Sequence, residues 1–161
     1  MTSDERVGLV REVFATIPRR YDLLNRVFSL RRDVSWRRFA VQRMRFGGTD
    51  RLLDIATGTA DLALAAARQH PQIHVTGLDF AREMMHVGVA KCRRLGLQDR
   101  VRFIQGDAMR LPFPDRAFDA AACAFGIRNM PDRAGALREM VRVVRPGGQV
   151  LILEMHFPRH P

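Results

Sequence analysis

The chain has 161 residues, 47% of them hydrophobic, and two cysteines, which suits one cored domain and excludes intrinsic disorder and a disulfide framework. Its formal net charge is +10, and residues 1–51 hold twelve of the 27 bases against six of the 17 acids, so this basic first third either meets an anionic partner or is a solvated arginine-rich face. No apolar run approaches the roughly 20 residues that cross a bilayer, and the opening MTSDER lacks a basic-then-apolar signal profile; a soluble, cytoplasmic protein is expected.

Apolar residues spaced by three or four predict a helix over residues 7–17, stopped by Pro18, and shorter helices over 21–30 and 35–44. The third carries Trp36, Phe39, Ala40 and Met44 on one side. GGTD at residues 47–50 reads as a linker, dividing the chain into a helical segment, 1–48, and a ligand-binding unit, 49–161. Apolar runs then predict strands at 51–56, 73–78, 101–105, 118–125 and 149–155, with helices at 62–69, 82–95 and 133–144. This alternation implies an α/β fold, a mainly parallel sheet with helices on both faces. Pro71, Gly96 and the PGG at 146–148 punctuate it. Cys92 and Cys123 read as small buried hydrophobes, and no grouping of ligand residues predicts a metal site.

The run LDIATGTAD, residues 53–61, is an apolar strand that stops at a turn of small residues and restarts as a helix. Such a corner lets a ligand approach the backbone closely, with Gly58 as the expected hinge. The single glycine falls short of the G-x-G-x-x-G that seats a pyrophosphate. Asp79 closes the next strand about 20 residues downstream, where a carboxylate accepts hydrogen bonds from both ribose hydroxyls. An adenosine-bearing ligand without phosphate fits this pair. Asp54 and Asp61 add negative charge suited to a cationic group, such as the sulfonium and ammonium of S-adenosylmethionine. A plain strand-to-helix turn in a structural domain is the other reading.

Asp107, within GDA after the third strand, falls on the same sheet edge and suits an adenine amino group. LPFPD at 111–115 follows as a loop stiffened by two prolines. Arg128 and Asn129 follow the 118–125 strand. Either they face the crevice, Arg128 steadying an oxyanion and Asn129 holding a substrate oxygen, or they cap the helix that begins near Asp132.

In this order and spacing, LDIATGT, the GLD ending at Asp79, GDA, LPF, the FD at 118–119 and the RPGG at 145–148 resemble class I S-adenosylmethionine-dependent methyltransferases. YDLLN at 21–25 with Ser29 and Trp36, FGIRN at 125–129, and RVVRPGG at 142–148 with Glu154 are similar, more narrowly, to the ubiquinone/menaquinone biosynthesis C-methyltransferase family. The resemblance implies a Rossmann-like fold, S-adenosylmethionine as cofactor, and methyl transfer to a ring carbon of a polyprenylated quinol. It implies cofactor contacts at Asp54, Thr57, Gly58, Thr59, Asp79, Phe80, Asp107, Ala108 and Ala124. It also implies that Tyr21, Arg128 and Asn129 face the quinol ring. A ring carbon becomes nucleophilic once a neighbouring hydroxyl loses its proton, and Arg128 would stabilise that anion.

The chain departs from the family pattern at several positions. Thr57 and Ala60 stand where glycines are usual and are expected to stiffen the turn. Asp33 replaces a histidine, and Ala124 and His156 each replace a serine. The family's sheet normally runs on through further strands, so those last strands are expected to be missing here. The final strand is then expected to present an apolar edge that self-associates or takes up a partner chain. Two other functional readings compete. One is a catalytically weak or inactive paralogue serving as a subunit. The other is an RNA methyltransferase, disfavoured because no aromatic platform interleaves the arginines; no nucleic acid is expected as a partner. The basic N-terminal segment is expected to hold the protein peripherally at an anionic membrane.

Overall fold

The computed structural model describes residues 32–155. The helices expected at 7–17 and 21–30, together with Tyr21 and His156, lie outside the described residues. In chain order the elements are α1 (Arg32–Gln42), β1 (Arg51–Ile55), α2 (Asp61–Gln69), β2 (His74–Asp79), α3 (Arg82–Arg94), β3 (Val101–Gln105), β4 (Phe118–Ala124), a 3-10 turn (Ile127–Asn129), α4 (Arg133–Val143) and β5 (Val144–Leu153). All strand pairs are parallel, in the order β3-β2-β1-β4-β5.

The central strands are apolar on both sides because both sides are covered. Leu52, Val75, Ala120 and Ala122 face one layer with Val41 of α1, Ala63 and Ala67 of α2, and Cys92 of α3. Leu53, Ile55, Leu78, Ala121 and Cys123 face the other with Met140 and Val143 of α4. Both cysteines are buried free thiols, as the sequence implies. The connection from β3 to β4 must pass β2 and β1, and residues 106–117 make it without a helix. Arg142 of α4 clamps this stretch: its guanidinium donates to the carbonyls of Leu111 (3.1 Å) and Phe113 (2.9 Å) and to Asp115 (2.7 Å).

The last strand differs from expectation. It begins at Val144, directly after α4, rather than at residue 149. Val144 pairs with Phe118 and Gln149 with Ala120, so residues 145–148 bow out of the ladder, with Gly147 at φ +76°. Asp119 supplies the reason. Fully buried, it accepts hydrogen bonds from the backbone N–H groups of Gly48 (3.3 Å), Thr49 (3.0 Å) and Asp50 (2.7 Å), and from Arg145 Nε. Burial alone would raise its pKa, but Arg145 and these amides outweigh that and hold it down at about 2. The bulge brings Arg145 to this carboxylate, and the clasp fixes the 47–50 linker under the sheet.

Strand order reverses between β1 and β4, so their chains leave in opposite directions and open a crevice at the carboxyl edge of a Rossmann-like sheet. Among the described residues, no helix is long and apolar enough to cross a membrane.

Candidate functional site

A cavity of about 500 Å³ occupies that crevice. Four strand ends build it: Ala56 and Gly58 after β1, Asp79 and Phe80 after β2, Asp107 and Ala108 after β3, and Ala124 and Phe125 at the end of β4. Asn129, the last residue of the 3-10 turn, and Met130 after it close the side.

The turn after β1 is tightly wound, with Ala56 (φ +54°), Gly58 (φ +54°) and Ala60 (φ +68°) all left-handed. Asp54 braces it from beneath. One carboxylate oxygen accepts from Thr57 Oγ1 (2.7 Å) and from the Ala63 N–H (3.2 Å), tying the turn to the first residues of α2. Burial pushes the Asp54 carboxyl up to about 7, against the pull of those two hydrogen bonds. Thr57 points down: its hydroxyl is on Asp54, and its side chain packs where a Cβ at Gly77 would sit, 2.9 Å from its Oγ1. Ala60 is likewise fully buried, its methyl 2.9 Å from where a Cβ on Gly88 of α3 would be. The two residues that replace glycines therefore do not line the cavity. Thr59 is buried too and forms no part of the cavity wall.

Asp79 does line it. Its Oδ2 accepts from the Gly58 N–H (2.7 Å) and its Oδ1 from the Ala81 N–H (2.8 Å), so one carboxylate joins the β1 turn to the start of α3. Burial raises its pKa more than these backbone donors lower it. A carboxylate has about four lone-pair positions, more than the backbone donors fill, which leaves acceptor capacity for a ligand. Asp107, exposed at the other end, takes the Met109 N–H on Oδ1 (2.8 Å).

Arg128 and Asn129 part company. Asn129 lines the cavity, whereas the Arg128 side chain is turned to Glu154, with Nη1 2.9 Å from Oε1. Neither caps the following helix, because Asp132 does so through its side chain on the Gly135 N–H (2.8 Å). The cavity thus gathers Gly58, Asp79, Phe80, Asp107, Ala108, Ala124 and Asn129; Asp54 and Thr57 brace the turn beneath it, and Thr59 is buried outside its lining. Sequence reasoning missed Phe125, Met84, Met109 and Met130 as walls. Only Phe125 carried a signal, as the first residue of FGIRN.

The model of the ubiE/COQ5 methyltransferase family matches residues 1–161. The ubiquinone/menaquinone biosynthesis C-methyltransferase UbiE of Geotalea daltonii is 46% identical over 156 residues, covering 96% of this chain and 66% of that protein. The demethylmenaquinone methyltransferase of Deinococcus radiodurans is 46% identical over 149 residues, covering 92% and 61%. This chain therefore spans about two thirds of the length of the curated relatives it matches. Among solved structures, a putative methyltransferase from Bacillus halodurans superposes with a TM-score of 0.70 at 30% identity, covering 78% of this chain and 53% of that one. With the family model spanning every residue and the sheet and its crevice arranged as described, the chain belongs to the ubiE/COQ5 methyltransferase family.

Proposed function

We propose that this chain binds S-adenosylmethionine in the crevice and serves methylation of a ring carbon of a polyprenylated quinol, a demethylmenaquinol or ubiquinol precursor. The observation that carries this reading is the Asp79 carboxylate at the end of β2, inside the cavity and beside the Gly58 backbone. The residues present fit the cofactor. Asp79 retains acceptor capacity for ribose hydroxyls, the Asp107–Ala108 corner offers a carboxylate and a small residue for the adenine edge, and Phe80 gives an apolar wall. Absence of a Cβ at Gly58 leaves room beside Met84 for the turn backbone to meet the ligand. When bound, S-adenosylmethionine supplies the methyl group.

The remaining roles belong to this chain's side chains. Asn129 orients a quinol oxygen at the cavity wall. Arg128 stabilises the quinol oxyanion, exchanging Glu154 for that anion or reaching it through water. Tyr21 is the third residue assigned to the quinol ring, by family resemblance. Residues 1–48 form the substrate-facing segment, and their arginines favour a peripheral position at an anionic membrane, where a polyprenyl chain resides. The two relatives named for quinone methylation support this choice of substrate. The outer edge of β5, unpaired among the described residues, can take up a further strand.

Calorimetric titration with S-adenosylmethionine and S-adenosylhomocysteine tests the cofactor assignment. Wild type should bind both, and Asp79→Ala should bind at least about tenfold more weakly, as expected when charge-assisted hydrogen bonds are lost. If neither ligand binds wild type, the reading fails.

A further inference from the structure

One cavity wall is held from outside the cavity. Phe125 directly follows β4 with a φ of +58°, a conformation a bulky residue keeps only where neighbours impose it. Its N–H donates to the Leu153 carbonyl at 2.7 Å, anchoring the backbone on β5. Its ring is gripped by α1: the Trp36 ring lies 6.3 Å away, tilted by 54°, and the Arg37 guanidinium carbon sits 5.1 Å from its centroid. A cation over an aromatic face is attracted by the ring quadrupole, more strongly when desolvated, and Arg37 is 8% exposed.

Arg37 is itself well fixed. Its Nη1 is 2.6 Å from Asp33 on the same helix and 3.9 Å from Asp61 at the start of α2, and Asp61 in turn takes Lys91 of α3 at 2.8 Å. Three helices thus converge on a guanidinium that does not line the cavity but faces the ring of a residue that does.

We propose that Arg37 is the positioning residue for Phe125. Docking of α1 sets the orientation of that ring, and affinity for the adenosyl ligand depends on a side chain that never touches it. Asp33 serves this arrangement by holding the guanidinium over the ring. The inference rests on reading the cavity as the adenosyl site, and its test separates the two claims.

Trp36 is the sole tryptophan, so its emission reports the contact directly. In ligand-free protein, Arg37→Met should shift Trp36 emission to the red and raise its quenching by acrylamide, while Arg37→Lys should stay close to wild type. Binding of S-adenosylhomocysteine, followed by calorimetry, should weaken about tenfold in Arg37→Met and recover in Arg37→Lys. Phe125→Leu, which leaves Asp33 and Asp61 paired, should weaken binding too. Adding Arg37→Met to it should cost little more, the non-additivity expected of residues acting through one contact. Wild-type-like binding by a folded Arg37→Met, or full additivity in the double variant, overturns the proposal. So does unchanged Trp36 emission in Arg37→Met and in Phe125→Leu, the second variant deciding if the first fails to fold. Loss of binding by wild type itself overturns only the adenosyl reading, because the ligand-free emission still decides whether Arg37 positions the ring.

Discussion

Asp54 and Asp79 end neighbouring parallel strands, yet their surroundings give them different work. Asp54 lies beneath the turn, hydrogen-bonded to Thr57 and Ala63, whereas Asp79 faces the cavity. Because burial lifts the Asp54 pKa from 3.8 to about 7, the folded chain holds a proton there that the unfolded chain releases near 3.8. Stability from this group is therefore lost as pH rises from 3.8 to about 7. Both hydrogen bonds fall on the same oxygen, which Asp54→Asn keeps. Relative to wild type, that variant should gain stability across this window and stay level above it, as read from urea unfolding at a series of pH values. The Ala60 and Gly88 pair gives a second prediction. A methyl at position 88 would lie 2.9 Å from the Ala60 methyl and 3.1 Å from Phe103, so Gly88→Ala should destabilise by about 2 kcal/mol through overpacking. Ala60→Gly in the same chain removes one clash and a left-handed alanine, and urea midpoints should show at least half of the loss restored.

At the scale of elements, two arginines fasten segments that no secondary structure holds. Arg142 joins α4 to the 111–115 loop and is paired with Glu139 as well, an arrangement that raises its own pKa through Glu139 and Asp115 and lowers that of Glu139. Arg145 joins the β5 bulge to Asp119 and, through it, to the linker after α1. Asp119→Ala leaves Arg145 and several amides without their acceptor and should destabilise by about 3 kcal/mol in urea unfolding at pH 7. The Asp119 pKa is depressed from 3.8 to about 2, so its contribution is complete above pH 3.8 and vanishes as pH falls toward 2. Wild type and Asp119→Ala should therefore converge in stability over that acid range.

At the scale of the whole molecule, the sheet has two edge strands, β3 and β5, and among the described residues the outer side of β5 is unpaired. The Phe125 N–H donates to the Leu153 carbonyl, so by the two-residue period of a strand Ile152 turns its own N–H away from β4. Proline at position 152 thus removes an outward donor while leaving the β4 ladder intact. If a second copy completes the sheet, light scattering should give more than one chain's mass for wild type and one chain's mass for Ile152→Pro, with little change in thermal midpoint. Much of this architecture was legible in the residues. The apolar runs of β1, β2 and β4, the small-residue turn around Gly58, and Asp79 one strand further on are local patterns, and the fold keeps them together at one sheet edge. The roles of Asp119 and Arg37 were not legible, since their partners, the amides of 48–50 and the ring of Phe125, come from distant parts of the chain. Nor does spacing tell that Thr57 and Ala60 point into the core or that Arg128 turns to Glu154. Strand and helix periods, turn chemistry and family belong to the sequence by itself, because each is written in residues close along the chain. Which side chains face the cavity and which support it was decided only by tertiary structure, because burial and long-range partners, rather than residue type, set the direction and charge of each group.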